Sequence, residues 1–108
     1  MADTRVLVTC AGGKIGNAVA LQLLEQGVAT RALVHREDQR SNHLRERGAQ
    51  VVIANMMDYQ QVQDVMTGIN RIYFHPIFDP HALDSTVIFA IAARKARVEA
   101  IVQMGQWL

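Results

Sequence analysis

Cys10 is the one cysteine in 108 residues, so no disulfide can close within the chain. A lone thiol also fits a reducing compartment. Charge of one sign is absent: eleven lysines and arginines stand against ten acids, for a net charge of +1. That balance leaves no electrostatic footprint for direct contact with nucleic acid or anionic lipid. The four histidines, His35, His43, His75 and His81, show no ligand spacing with each other or with Cys10, which argues against a structural metal. No apolar run approaches the length of a membrane span. The opening Met-Ala-Asp leads directly into a strand pattern, without the charged and long apolar regions of a secretion signal. These absences predict a soluble, cytoplasmic chain.

What remains is half hydrophobic and long enough for one domain with its own core. Val6–Thr9 is a short apolar run that suits a strand buried on both faces. From Lys14 to Gln26, Ile15, Val19, Leu23 and Leu24 recur at helical spacing, and Gly27 stops the run. Thr30–Val34 reads as a second strand, 38–47 as a polar helix ended by Gly48, and Gln50–Ala54 as a third buried strand. Asp58 is placed to cap a short helix with Val62, Val65 and Met66 as its apolar stripe. Arg71–Phe74 is the fourth strand, and the two prolines, Pro76 and Pro80, mark the loop after it. Leu83–Arg97 is a long helix with Leu83, Val87, Phe89 and Ile91 expected inward; Ala100–Met104 is the fifth strand. Such alternation predicts an α/β fold, a Rossmann-like doubly wound parallel sheet of five strands in the order 3-2-1-4-5. A ligand then belongs at the carboxyl ends of strands 1 and 4, where the order reverses.

Thr9-Cys-Ala-Gly-Gly-Lys-Ile-Gly16 lies at that point, after a strand and opening a helix. A dinucleotide loop there needs a tight turn, close backbone approach to the pyrophosphate and close helix–strand packing. Gly13 and Gly16 can supply the second and third, and the helix N-terminus offers free N–H groups to phosphate. Cys10 stands where the first glycine is expected, so the turn is expected to hold φ below zero there, with Gly12 as the nearest spare glycine. A glycine-rich turn without a ligand is the alternative.

This loop, followed by "RALVHRED", "VVIANMMD" and "RIYFHPIFDP", resembles the NmrA-like group of atypical short-chain dehydrogenases/reductases. That group includes dinucleotide-sensing transcriptional regulators and NAD(P)H:quinone oxidoreductases. Its TGATGxxG loop is matched by Thr9 through Gly16, with Cys10 for the first Gly and Gly12 for the second Thr. The resemblance covers essentially all 108 residues, which correspond to less than half of a typical member. The chain is therefore expected to be an NAD(P)-binding domain, residues 1–108, whose substrate-binding part is absent. The resemblance implies cofactor contacts from Cys10, Gly12, Gly13, Lys14, Ile15 and Gly16. After the second strand it places His35 and Arg36 at the adenosine ribose. Arg36 can offer a bidentate fork to a 2′-phosphate, which favours NADP, while Glu37 could instead hold the free 2′-hydroxyl of NAD. Asn55 stands where relatives contact adenine, although an asparagine there can equally cap a turn. His75 falls in the loop that lies along the cofactor, beside the nicotinamide ribose.

The superfamily's Tyr-x-x-x-Lys is missing: Tyr59 is followed by Gln63 and Tyr73 by Ile77. Gly105 and Gln106 fall where its serine would stand. Ser41 and Ser85 have no special context, and Asp79, His81 and Asp84 suit helix capping better than catalysis. Two functions follow from the resemblance. One is an oxidoreductase acting on a quinone or small carbonyl acceptor; the other is a non-catalytic NAD(P) sensor. Ile101, Met104, Trp107 and Leu108 are expected to leave an apolar patch, covered by a second copy or by a further C-terminal segment.

Overall fold

Leu7 and Val8 are sequence neighbours and both fully buried, one against each face of a central sheet. A computed structural model describes residues 4–74 and 82–103 of the chain. The elements alternate as β1 (Arg5–Val8), α1 (Lys14–Glu25), β2 (Ala29–Val34), α2 (Gln39–Glu46), β3 (Gln50–Ile53), α3 (Tyr59–Val65), β4 (Arg71–Phe74), α4 (Ala82–Lys95) and β5 (Ala100–Gln103). All neighbouring strands pair in parallel, in the order β3-β2-β1-β4-β5. The doubly wound sheet expected from the alternation is the one observed.

Two clusters build the core, one on each side. Leu7, Leu33, Ile72 and Phe74 meet α3 and α4 through Val62, Val65 and Phe89. The Phe74 and Phe89 rings are tilted at 37° with centroids 4.8 Å apart, within the range of favourable aromatic pairs. On the opposite side Val8, Ala32 and Val34 meet Ala20 of α1 and Leu44 of α2. The chain crosses one face after β1 and the other after β4, so a crevice opens between the carboxyl ends of those strands.

Three burial expectations are corrected. Val87 and Ile91 do not face inward: they are 47% and 53% exposed. Phe89 does point inward, with Ser85, Ala92 and Ala93, and these small residues let α4 lie close to the sheet. Ile53 is 54% exposed rather than buried, because β3 is an edge strand with a single neighbour.

Arg31 gave no signal in the sequence, yet it is 7% exposed in the middle of β2. Its Nη1 donates to the carbonyls of Val65 (2.6 Å) and Thr67 (2.7 Å), and its Nε donates to Gln50 Oε1 (2.9 Å). The guanidinium thus takes up backbone acceptors left over where α3 ends. Burial lowers its pKa, and the positive charge of Arg5 adds to that. Arg31→Met keeps the stem and strands those carbonyls. It is expected to cost about 2 kcal/mol, a drop of about 10 °C in thermal unfolding followed by circular dichroism. A midpoint equal to that of the parent chain would show that water satisfies these carbonyls equally well.

Among the described residues no helix is long and apolar enough to cross a membrane. His75, Asp79, His81, Met104, Gly105, Gln106, Trp107 and Leu108 lie outside the described residues.

Candidate functional site

The loop between β1 and α1 closes at the crevice and is held from both sides. Thr9 N–H donates to the Tyr73 carbonyl of β4 (3.1 Å), and Ala11 N–H to the Leu33 carbonyl of β2 (3.0 Å). Within the loop, Gly13 N–H donates to the Cys10 carbonyl (3.0 Å), forming the tight turn.

That turn is made by the cysteine. Cys10 has φ +52°, in the left-handed region, against the expectation of a negative value. The position keeps its glycine-like backbone although the side chain is not glycine, and the loop's other hydrogen bonds hold it there. Such a conformation costs a non-glycine residue on the order of 1 kcal/mol. The Cys10 thiol lies 3.9 Å from Met56 Sδ. Burial pushes its pKa up, partly offset by a hydrogen bond with Thr9, the opposite of the shift that favours a thiolate. Thermal midpoints are expected to fall in the order Cys10→Gly at or above the parent, with Cys10→Val lower by about 2 kcal/mol. A valine variant as stable as the parent would mean that the turn does not require the left-handed conformation.

The three glycines that follow divide into two kinds. A Cβ at Gly16 would lie 2.3 Å from the Cys10 carbonyl oxygen and 2.9 Å from that of Thr9. Gly16 is therefore needed for α1 to pack on the turn. Gly12 and Gly13 are not needed in this way. A Cβ at Gly12 would meet nothing within 4 Å, and at Gly13 only the Cys10 oxygen at 3.4 Å. Gly13 has φ −85° and ψ 171°, which any residue adopts. What their bareness does is leave the start of α1 open. No side chain caps α1, whereas α2 is capped by Asp38 in a capping box with Ser41 and α3 by Asp58. The first-turn N–H groups of Lys14, Ile15 and Gly16 have no acceptor inside the helix, and Lys14 and Ile15 are exposed.

On the β2 side, His35, Arg36, Glu37 and Asp38 are all exposed. The two acids are engaged locally: Glu37 Oε1 pairs with Arg45 Nη2 at 2.6 Å, and Asp38 accepts from Ser41 N–H at 3.0 Å. Arg40, in the first turn of α2, donates to the Gly12 carbonyl at 2.9 Å and so reaches the loop itself. Sequence reasoning missed Arg40. Its available signal was a basic residue in a helix's first turn, where the dipole disfavours positive charge. Asn55 is exposed, and its Oδ1 accepts from Met57 N–H at 2.9 Å, closing the turn after β3. Its Nδ2 points to no partner among the described residues. His75 lies outside the described residues.

Many solved structures share this architecture, and three illustrate it. One is a nucleoside-diphosphate-sugar epimerase from Pseudomonas aeruginosa, with TM-score 0.80 and 22% identity, matched over 94% of this chain and 33% of its own. A second is an NADPH-dependent quinone oxidoreductase from Escherichia coli complexed with NADPH, with TM-score 0.78 and 19% identity over 91% and 35%. A third is the Citrobacter sp. triphenylmethane reductase complexed with NADP(H), with TM-score 0.77 and 24% identity over 93% and 37%. At these identities the likeness is one of fold. The chain spans about a third of the length of each. No curated protein sequence matches it. A family model for NAD(P)H-binding domains matches residues 10–107, from the cysteine of the turn to beyond the last described strand. By that match, and by a sheet and loop of the same build, the chain belongs to the NAD(P)H-binding family.

Proposed function

We propose that this chain is the cofactor-binding part of an NADP(H)-dependent oxidoreductase of the NmrA-like type, acting on a quinone or small carbonyl acceptor. The observation that carries the reading is the division among the glycines. Gly16 serves the fold, while Gly12 and Gly13 serve no packing need and keep the open N-terminus of α1 accessible. A pyrophosphate fits such a place: it takes the free N–H groups of Lys14, Ile15 and Gly16 and the positive end of the helix dipole. Arg36 and Arg40 would meet the 2′-phosphate, because Glu37 and Asp38 already have partners and are poorly placed to hold a free 2′-hydroxyl. His35 would border the same phosphate, the Asn55 amide the adenine edge, and His75 the nicotinamide ribose. When bound, the nicotinamide supplies a hydride. The chain's own residues hold the cofactor's phosphates, and the acceptor would be held by a part of the protein outside these residues.

A sensor that binds NADP(H) without turnover is the second reading. It rests on the described residues alone, whose side chains offer contacts for a cofactor and, at Tyr59, a hydroxyl already engaged in donating to Gln63 Oε1 at 2.9 Å. Calorimetric titration with NADPH and NADH tests the binding claim. NADPH is expected to bind more tightly, and Arg36→Ala to weaken NADPH about tenfold while barely changing NADH. Equal losses for both cofactors would remove Arg36 from the 2′-phosphate. NADPH oxidation in the presence of quinones then separates the readings: binding without turnover by the full protein leaves the sensor.

A further inference from the structure

Gly12 is the barest point of the glycine loop, where an added Cβ would meet nothing within 4 Å. A side chain from another element nevertheless reaches its backbone. Arg40, 28 residues further on in the first turn of α2, donates from Nη1 to the Gly12 carbonyl at 2.9 Å. Nothing within α2 accounts for an arginine there. The first turn is the positive end of the helix dipole, which disfavours a cation. Glu37, three residues earlier, pairs with Arg45, and Asp38 is engaged in the cap. Arg40 makes no ion pair among the described residues.

A guanidinium is a rigid plane with five N–H donors. Nη1 of Arg40 is engaged by Gly12, while Nε and Nη2 have no hydrogen-bond partner among the described residues. Nε and Nη2 together form the side edge of the fork, which can take two oxygens of one phosphate. One side chain can therefore hold the loop at one corner and an anion along the adjoining edge. Both contacts fall in the gap between the turn after β1 and the start of α2. In a doubly wound fold the pyrophosphate lies at the start of α1 and the adenosine ribose beyond β2. A dinucleotide bound here crosses that gap.

We infer that Arg40 is a positioning residue that couples the ribose 2′-phosphate to the glycine loop. In the free protein it holds the Gly12 carbonyl. A 2′-phosphate on its other edge fixes the guanidinium in place and so tightens the turn that presents the first N–H groups of α1 to the pyrophosphate. The phosphate half of this inference rests on the proposed NADP(H) reading, whereas the bond to Gly12 does not. Preference for NADPH then has two sources. One is direct charge contact, which Arg36 shares; the other is ordering of the loop, which belongs to Arg40.

Amide hydrogen exchange in the full protein reads the coupling at Ala11 and Gly13, whose N–H groups are bonded to Leu33 and Cys10. The probe is 2′-AMP, which carries the 2′-phosphate and no pyrophosphate, with adenosine as control. At saturation 2′-AMP is expected to slow both amides about fivefold, and adenosine to leave them unchanged. Arg40→Met keeps the stem and removes the fork. It should speed exchange about fivefold without ligand and abolish the effect of 2′-AMP. Arg36→Ala should lower the affinity for 2′-AMP yet keep its effect at saturation. Arg40 is exposed, so circular dichroism should show an unchanged fold. Protection by 2′-AMP that persists in Arg40→Met overturns the inference. So does a parent loop indifferent to saturating 2′-AMP. Titration with NADPH separates that failure from a failure of the proposed function. If NADPH binds while the loop ignores 2′-AMP, the coupling alone is refuted. If the parent binds neither, the NADP(H) reading falls and the coupling falls with it.

Discussion

Gly16→Ala is expected to destabilise the protein by about 3 kcal/mol, a larger effect than most surface substitutions produce. The single added carbon would sit 2.3 Å from the Cys10 carbonyl oxygen and 2.8 Å from its carbon, both backbone atoms. Neither can swing aside as a side-chain tip would. The turn is pinned by the Gly13 N–H bond to that same carbonyl and by the Ala11 bond to Leu33. Relief therefore requires α1 to move off the sheet, which opens the packing of Ala20 against Val8 and Ala32. Thermal unfolding by circular dichroism should show a midpoint lower by about 15 °C. A loss below about 1 kcal/mol would mean that α1 can shift without cost, and the reading of Gly16 as a packing glycine would fail.

Gly13→Val is expected to do the reverse: keep the fold and lower dinucleotide affinity by about a hundredfold or more. The extended backbone of Gly13 accepts a β-branched residue, and the nearest neighbour of the new Cβ is a single oxygen at 3.4 Å. What the valine fills is the approach to the first-turn N–H groups of α1, where a pyrophosphate would have to come within hydrogen-bond distance. Calorimetric titration with NADPH reads the affinity, and the thermal midpoint reads the fold. Unchanged affinity would place the cofactor elsewhere. Gly16→Ala and Gly13→Val thus separate the two uses of glycine in one loop.

Several parts of the site were legible because they depend on short stretches of chain. The strand–glycine–helix order of Thr9 to Gly16 needs only local periodicity and turn chemistry to be seen. Asp58 as a cap is likewise a matter of three or four residues. The states of Cys10, Arg40 and Glu37 were not visible in this way. Whether Cys10 tolerates a left-handed backbone depends on bonds from β2 and β4 to the loop around it. Whether Glu37 is free for a ribose depends on Arg45, one helix away, and Arg40 meets Gly12 only because α2 folds back over the loop.

By itself, then, the sequence determined the element types, their alternation, and hence the parallel sheet with its order β3-β2-β1-β4-β5. Right-handed crossovers between buried strands leave few other solutions. It also determined where a ligand loop must lie. The tertiary structure alone decided which apolar residues are covered. Helix α4 carries aliphatic residues on more than one side, and periodicity does not say which side meets the sheet. Close packing against Ile72 and Phe74 selected the side with Phe89, Ala92 and Ala93 and turned Val87 and Ile91 outward. It alone decided, too, that a cationic Arg31 could sit in a buried strand, because the carbonyls that stabilise it come from the end of a helix more than thirty residues away. Local rules see neighbours in sequence, whereas desolvation and hydrogen-bond satisfaction are settled by neighbours in space.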